Sequence, residues 1–322
     1  MMTALKVQNL AKTFATKKTL FRRSQGGVRA VCPVSFSVES GETLGVVGES
    51  GCGKSTLARM LVGLLEPSEG TIEINGKALD NADPAEFGKL IQYVFQDPNS
   101  SLNPRKNIRQ IMESPLKRLH KMPRAERDAR IREIFDSVNL REEFLERYPH
   151  EFSGGQAQRI GIARALAADP QIIILDEPVS ALDVSVQAQV LNLLARLKAE
   201  FGLTYLFITH DLAVVEAVSD RIMVLYFGSV VEVGKAEKIF ASPRHPYTKL
   251  LADSAPVVGR PLTAPEQKGT ELPDPLNPPP GCAFAGRCPR ATEHCRTIEP
   301  VLQSMGEDQF AACHHPIEAR EG

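Results

Sequence analysis

A phosphate-binding loop constrains this chain more than any other feature of its sequence. Residues 48–56 read G-E-S-G-C-G-K-S-T and match the pattern G-x-x-x-x-G-K-[ST]. An apolar run precedes the loop at residues 43–47, and apolar residues at helical spacing follow it at residues 57–61. Glycines let backbone N–H groups turn toward phosphate oxygens, and the following helix adds the positive end of its dipole. The sequence therefore predicts a strand, a nucleotide-binding loop and a helix in succession.

The residues of this loop are expected to have separate tasks. Lys54 supplies a positive charge to the β- and γ-phosphates of ATP, and the Ser55 hydroxyl supplies a ligand to Mg²⁺. Cys52 contributes its backbone while its side chain can point away, so a reactive thiol there has no support. The candidate ATP-binding residues of the loop are Gly48, Ser50, Gly51, Cys52, Gly53, Lys54, Ser55 and Thr56.

Length, charge and apolar content limit the classes of protein to which this chain can belong. At 322 residues the chain has room for about two domains, and its net charge of −1 gives no basic field for a nucleic acid partner. No apolar run approaches the length of a membrane span, and residues 1–6 lack the apolar centre of a signal peptide. We therefore expect a soluble, cytoplasmic chain that does not bind nucleic acid.

Hydrophobic periodicity predicts an α/β fold. Short alternating segments within residues 5–47 predict an antiparallel β-layer, interrupted by a polar, solvated loop at about residues 17–27. Residues 70–76 predict a strand that enters an Asn-Gly turn. Strands are also predicted at residues 91–95 and 203–208. Residues 172–175 are continuously apolar, which predicts a strand that is covered on both faces.

Helical patterns separate those strands. Residues 105–150 predict an amphipathic helical insert, whose apolar face carries Ile131, Ile134, Phe135 and Val138. One helix is expected to start after Ser153, and a longer one is expected to run from Asp183 to about Gly202. Alternating strands and helices imply a mostly parallel sheet with helices on both faces.

Two carboxylates directly follow the predicted buried strand at residues 172–175. The carboxyl edge of an open α/β sheet is where ligands bind. There we expect Asp176 to bind Mg²⁺, and Glu177 to orient and deprotonate the water that attacks the γ-phosphate. Taken alone, Asp-Glu-Pro is also compatible with a helix cap.

Ser153-Gly154-Gly155-Gln156 lies 20 residues before Asp176 and resembles the signature of ABC transporter ATPases. The resemblance implies a P-loop, RecA-like fold in which two such domains dimerise head to tail. Each signature helix then points at the ATP of the opposite subunit. It also implies that Gln96 touches Mg²⁺ and the membrane partner, that Asp183 lies in the D-loop, and that His210 lies near the γ-phosphate. Phe14 matches the aromatic residue that stacks on adenine, although it could equally be a core residue of the β-layer.

Over almost its whole length the chain resembles the dipeptide, oligopeptide and nickel branch of bacterial ABC importers. The residues that carry this resemblance are His245-Pro246-Tyr247-Thr248, Leu272-Pro273 and residues 276–282. It implies a peptide importer motor on the cytoplasmic face of the membrane. The implied partners are a second, paralogous ATPase subunit, two membrane permeases and a substrate-binding protein. Nickel or another small solute, a soluble ABC ATPase and a phosphoryl-transferring kinase are the alternatives; the kinase would leave the Ser-Gly-Gly-Gln element unexplained. No chemistry is assigned to residues 245–248.

Two regions are expected on this basis. A nucleotide-binding domain spans residues 1–235, with the helical subdomain inserted at about residues 97–156. A C-terminal extension spans residues 236–322, with a proline-rich linker at residues 256–280 and a cysteine-rich region at residues 281–316.

Four of the six cysteines, Cys282, Cys288, Cys295 and Cys313, lie in that last region. In a cytosolic chain such clustering indicates a metal more than disulfides or free thiols. The gaps are wider than the usual C-x₂₋₄-C pairs of structural zinc, and four thiolates at irregular gaps suit a [4Fe–4S] cluster. The branch resemblance also implies such a cluster, with zinc as the alternative. Since few apolar residues separate these cysteines, we expect metal binding to fold this cysteine-rich region, residues 281–316, which is called the tail below.

Overall fold

The computed structural model of the chain describes residues 2–15, 27–79, 83–254 and 272–318. Most of the loop predicted at residues 17–27 lies outside these described residues, as does the larger part of the linker predicted at residues 256–280.

Strands of two sheets form the framework of the described residues. In chain order they are β1 (Thr3–Ala15), β2 (Gly27–Glu39), β3 (Thr43–Val47), β4 (Glu69–Ile74), β5 (Lys77–Ala78), β6 (Ile91–Val94), β7 (Ile172–Asp176), β8 (Thr204–Ile208), β9 (Arg221–Tyr226), β10 (Ser229–Lys235), β11 (Gln303–Ser304) and β12 (Phe310–Ala311).

Helices connect and cover these strands. They are α1 (Lys54–Leu61), α2 (Pro84–Leu90), α3 (Pro98–Ser101), α4 (Ile108–Arg118), α5 (Arg124–Ser137), α6 (Gly154–Leu166), α7 (Val184–Phe201), α8 (Leu212–Val218), α9 (Ala236–Ile239), α10 (Pro246–Ser254) and α11 (Glu293–Thr297).

The larger sheet positions the site. Its strand order is β11-β12-β10-β9-β3-β8-β7-β6, and its central strands β9, β3, β8, β7 and β6 run parallel. Every residue of β3, β7 and β8 is buried, because helices cover both faces of the sheet. The predicted buried strands and their parallel arrangement are thus confirmed. Because β6, β7 and β8 are neighbours, the residues that follow them meet at one edge.

The smaller sheet is the predicted antiparallel β-layer, with strand order β2-β1-β4-β5. Asn75 and Gly76 both have positive φ, at 50° and 73°, and form the tight turn predicted between β4 and β5. One apolar cluster joins this layer, the parallel sheet and α1, and includes Leu10, Leu57 and Ile174. The loop between β3 and α1 is therefore held by packing on both sides.

The predicted helical insert is confirmed as α4 and α5. Ile131, Ile134, Phe135 and Val138 are all buried, in a second apolar cluster that α6 and α7 also line. As predicted, α7 ends at Gly202, which adopts a left-handed φ of 64°.

The C-terminal region completes the edge of the larger sheet. Phe310 and Ala311 of β12 pair with Val233 and Glu232 of β10. Phe284 packs against Tyr226 and Tyr247, with ring centroids 5.3 Å and 5.5 Å apart. The tail therefore shares an apolar cluster with the main sheet, which the sequence did not predict, and the division at residue 235 stays a prediction. Among the described residues no helix is both long and apolar enough to span a bilayer.

Candidate functional site

The phosphate-binding loop connects β3 to α1, as its sequence predicts. Gly53 occupies the N-cap position of α1 with φ 105°, and a Cβ atom there would lie 2.3 Å from the carbonyl oxygen of Ala30. Both the left-handed backbone and the close approach require glycine at this position. The start of α1 is thereby presented toward the space that the loop surrounds.

Lys54 folds back over the loop. Its Nζ donates hydrogen bonds to the carbonyl oxygens of Gly48, at 2.7 Å, and Glu49, at 3.0 Å. These contacts place the ammonium group inside the curve of the loop, where a phosphate oxygen would be its natural partner. The Cys52 side chain is buried, and burial raises the pKa of its thiol, so this cysteine is not an activated nucleophile.

Two oxygen-bearing side chains meet beside the loop. The Ser55 hydroxyl donates to Oδ1 of Asp176 at 3.3 Å, although the two residues lie 121 positions apart. Hard cations such as Mg²⁺ bind oxygen ligands, so this donor set fits the predicted magnesium site.

Tyr93 is a member of this site that sequence reasoning missed. Its buried hydroxyl donates to Oδ2 of Asp176, and burial followed by the Asp176 charge raises the pKa of Tyr93. The bond holds Asp176 in orientation while leaving Oδ1 toward Ser55. Within its strand Tyr93 reads as one more apolar residue, so the sequence carries no signal of this role.

Glu177 lies at the centre of a second group of polar side chains. Nε2 of Gln96 donates to its Oε2 at 2.8 Å, and Nδ1 of His210 lies 3.3 Å from its Oε1. These three residues follow β6, β7 and β8, so the order of the strands brings them together. Gln96 and His210 are exposed, so the group opens to solvent from which water can enter.

The backbone of Glu177 is strained. Its φ of 48° is in the left-handed region that residues with a Cβ atom rarely adopt. The Glu177 N–H donates to the carbonyl oxygen of Ile208 at 2.8 Å, which ties the turn to β8. Strain held by neighbouring structure is common at functional sites. The carboxylate is thus fixed at the sheet edge, where it can accept a proton from water.

Phe14 lies near the end of β1 with 42% of its surface exposed. The ammonium group of Lys12 lies 5.5 Å from its ring centroid. An exposed ring is not a core residue, so that alternative is wrong. Stacking of adenine on Phe14 stays a prediction.

The Ser153-Gly154-Gly155-Gln156 segment begins α6 and faces solvent. Oγ of Ser153 accepts from the Gln156 N–H at 3.4 Å, and the Gln156 side chain returns a bond to the Ser153 N–H. This capping box leaves Ser153 and Gly154 exposed. In the part of the chain that the structure describes, Ser153 makes no hydrogen bond to the phosphate loop.

Asp183 is the exposed N-cap residue of α7, next to the start of α6. A Cβ atom on Gly155 would lie 2.5 Å from Cγ1 of Val186, so glycine is needed for this close packing. Ser153, Gly154 and Asp183 are thus exposed at the starts of two helices that pack against each other.

The four C-terminal cysteines are free thiols that line one small cavity together with His245 and Phe284. Burial raises the pKa of Cys282 to about 11 and also raises the pKa of Cys288 and Cys313. Nevertheless, within residues 2–15, 27–79, 83–254 and 272–318 no three His, Cys, Asp or Glu side chains are grouped closely enough to hold a metal ion.

No chemistry is expected of His245, and its surroundings agree with that. The ring is buried, its Nδ1 accepts from the Tyr247 N–H at 3.0 Å, and burial lowers its pKa to about 4. A neutral, hydrogen-bonded histidine here serves packing.

Comparison with protein families gives two matches. Residues 31–180 match the ABC transporter family, and residues 231–295 match the C-terminal region of oligopeptide and dipeptide transporters. The chain is 47% identical over 320 residues to the oligopeptide transport ATP-binding protein AppF of Bacillus subtilis, covering 97% of both chains. It is 50% identical over 310 residues to the dipeptide transport ATP-binding protein DppF of Haemophilus influenzae, covering 95% of this chain and 94% of the relative.

Solved structures give a similar result. A dimeric post-hydrolysis form of the ATP-binding cassette MJ0796, bound to ADP and phosphate, superposes with a TM-score of 0.63 at 33% identity and covers 72% of this chain and 98% of the cassette. The protein cbiO1 from Clostridium perfringens, part of the transporter complex cbiONQ, superposes with a TM-score of 0.64 at 28% identity and covers 75% of this chain and 92% of cbiO1. The predicted α/β cassette fold is confirmed, while a separate cysteine-rich extension stays a prediction.

Proposed function

Because this chain belongs to the ABC transporter family of ATP-binding proteins, we propose that it hydrolyses ATP to power a bacterial importer of di- or oligopeptides. The observation that carries the proposal is the meeting of Gln96, Glu177 and His210 at the sheet edge, beside the Ser55–Asp176 pair. Base, metal ligands and phosphate loop are the parts that hydrolysis of a γ-phosphate requires.

In this site each residue has one role. Lys54 and the loop N–H groups bind the phosphates, and Ser55, Asp176 and Gln96 would hold Mg²⁺, which neutralises phosphate charge when bound. Glu177 accepts a proton from the attacking water, and Gln96, which donates to the Glu177 carboxylate, orients it. His210, which lies beside Glu177, would contact the γ-phosphate. Phe14 offers its exposed face to adenine.

The exposed surface formed by Ser153 to Gln156 and Asp183 supports a role in dimer formation. A capped helix start that points to solvent can bind the phosphates of a nucleotide held by another subunit. We place this chain on the cytoplasmic face of the membrane, with a paralogous ATPase, two permeases and a substrate-binding protein as partners. Residues 1–235 would form the motor and residues 236–322 the extension.

Uptake of a labelled dipeptide and tripeptide by cells tests this function. Cells that carry Lys54→Ala instead of the parent chain should lose uptake, because removal of a charge-assisted contact weakens ATP binding by roughly tenfold or more. Lys89→Ala, which removes a surface pair with Glu86, is the control. If the variant loses nickel uptake but keeps normal peptide uptake, the transported substrate is nickel and not a peptide. Normal uptake of every solute would support a soluble ATPase that takes no part in transport.

The four C-terminal cysteines are proposed to bind a [4Fe–4S] cluster, with zinc as the alternative. The support is their chemistry and their common cavity, since iron–sulfur clusters are held by cysteine thiolates. In the described residues their present grouping does not itself form a metal site. Binding would therefore require the thiols to deprotonate and to draw together around the group.

Anaerobic purification followed by iron, sulfide and zinc analysis tests the metal proposal. We expect iron and sulfide in equal amounts, and Cys295→Ser should lower both, whereas Cys32→Ser, outside the tail, should change neither. One zinc per chain without sulfide would reject the cluster. A metal-free chain with a fully folded tail would reject both metals.

A further inference from the structure

An arginine from the C-terminal region reaches into the phosphate-binding loop. Nη1 and Nη2 of Arg287 each donate to a carboxylate oxygen of Glu49 at 2.9 Å, across 238 positions of sequence. Glu49 lies inside the loop, directly after Gly48. Planar, two-point pairing of this kind is stronger and more directional than a single ion pair.

The surroundings of Arg287 hold it in this position. Its guanidinium lies 5.6 Å from the ring centroid of Phe284 and 5.8 Å from that of Tyr226, and its side chain is only 10% exposed. It also donates to the Tyr226 hydroxyl at 3.4 Å. A guanidinium stays charged at any ordinary pH. Arg287 is thus a fixed, charged group.

Tyr247, which also lies outside the loop, makes a second contact with Glu49. The Glu49 N–H donates to the hydroxyl of buried Tyr247 at 2.9 Å. Arg287 holds the side chain of Glu49 and Tyr247 holds its N–H, so this N–H is directed to α10 instead of toward a phosphate.

The ion pair between Arg287 and Glu49 changes the charge that the phosphate-binding loop presents to a nucleotide. A free carboxylate in a phosphate-binding loop would repel the anionic triphosphate, because like charges at short range disfavour each other. Pairing with Arg287 neutralises Glu49 and turns its carboxylate toward the tail. The tail itself is fixed nearby, since the Cys282 N–H donates to the Cys295 carbonyl oxygen at 2.8 Å.

We propose that Arg287 is a positioning residue for the phosphate loop, which neutralises Glu49 and thereby makes the affinity for ATP depend on the folded C-terminal region. This inference rests on the proposed ATPase function. It assigns to the tail a direct influence on nucleotide binding, transmitted through one ion pair.

Binding of a fluorescent ATP analogue to the full chain tests the inference through a double-mutant cycle. Arg287→Gln should raise the dissociation constant roughly tenfold, the scale of one charge-assisted contact. In a Glu49→Gln background the same change should cost less than about twofold, because no carboxylate is left to neutralise. Arg221→Gln is the matched control, since it breaks a 2.9 Å pair with Glu42 at the opposite end of the sheet.

The outcomes separate the inference from the proposed function. A parent chain that does not bind the analogue would overturn the ATPase assignment itself. A parent that binds, with equal losses from Arg287→Gln in both backgrounds, would show a merely structural role and overturn the inference. If Arg287→Gln does not fold, Arg287→Lys replaces it in the same cycle: lysine keeps the charge but loses the two-point pairing, so a loss of affinity that shrinks in the Glu49→Gln background supports the inference and an equal loss in both backgrounds contradicts it.

Discussion

Replacement of Glu177 by Gln is expected to preserve ATP binding and to slow hydrolysis by roughly 10²–10⁴, the usual scale for loss of a general base. The amide keeps the size of the side chain and can still accept a hydrogen bond from Gln96, but it cannot take a proton from water. Because contacts with Gln96 and His210 hold the side chain at this position, no neighbouring carboxylate is expected to replace it. ATP should therefore accumulate as occluded nucleotide.

Phosphate release by the purified complex, together with nucleotide retained after rapid gel filtration, measures this outcome. Glu200→Gln is the control, because Glu200 pairs with Arg196 on the exposed face of α7. Multiple-turnover hydrolysis at the parent rate would remove Glu177 from the role of base. A fall of only about half would indicate that the partner's site contributes unequally.

Replacement of Ser153 by Ala is expected to spare ATP binding by the isolated chain and to reduce turnover of the dimer by on the order of 10², the scale for loss of a preorganised donor to a reacting anion. Oγ of Ser153 caps α6 and is exposed, so in the proposed head-to-tail dimer its O–H can donate to the nucleotide of the other subunit. In a mixed dimer the lost hydrolysis should be at the partner's phosphate loop.

A matched control separates this effect from loss of a helix cap. Asn107 caps α4 through the same kind of capping box, so Asn107→Ala should cost a similar stability, about 1 kcal/mol, without affecting turnover. Loss of nucleotide binding by the isolated Ser153→Ala chain would show that Ser153 acts on its own loop. That result would contradict the head-to-tail dimer.

Much of the site could be predicted because its parts are short and local. The strand, glycines and helix around Lys54 are consecutive in sequence, and glycine at Gly53 is demanded by its own backbone angle. Asp176 and Glu177 directly follow a fully apolar run, so their place at the sheet edge follows from the strand that precedes them. The capping residues Ser153 and Gln156 lie within one helical turn of each other.

Other features could not be predicted, because they depend on pairs of residues far apart in the chain. Tyr93 and Asp176 are separated by 83 positions. The sequence around each residue shows only the apolar pattern of a strand, which does not indicate that the two side chains meet. Whether Phe14 is exposed depends on how the β-layer packs. The alternation of apolar and polar residues in its strands does not determine that packing.

The sequence by itself determined the α/β class, the phosphate loop, the carboxylates after β7 and the start of α6, since each rests on local periodicity or backbone requirements. Only the tertiary structure decided that β6, β7 and β8 are neighbours, which joins Gln96, Glu177 and His210. It also decided that β12 completes the main sheet and that Arg287 reaches Glu49. The physical reason is that strand order and side-chain pairing follow from burying apolar surface across the whole chain, and no local stretch encodes them.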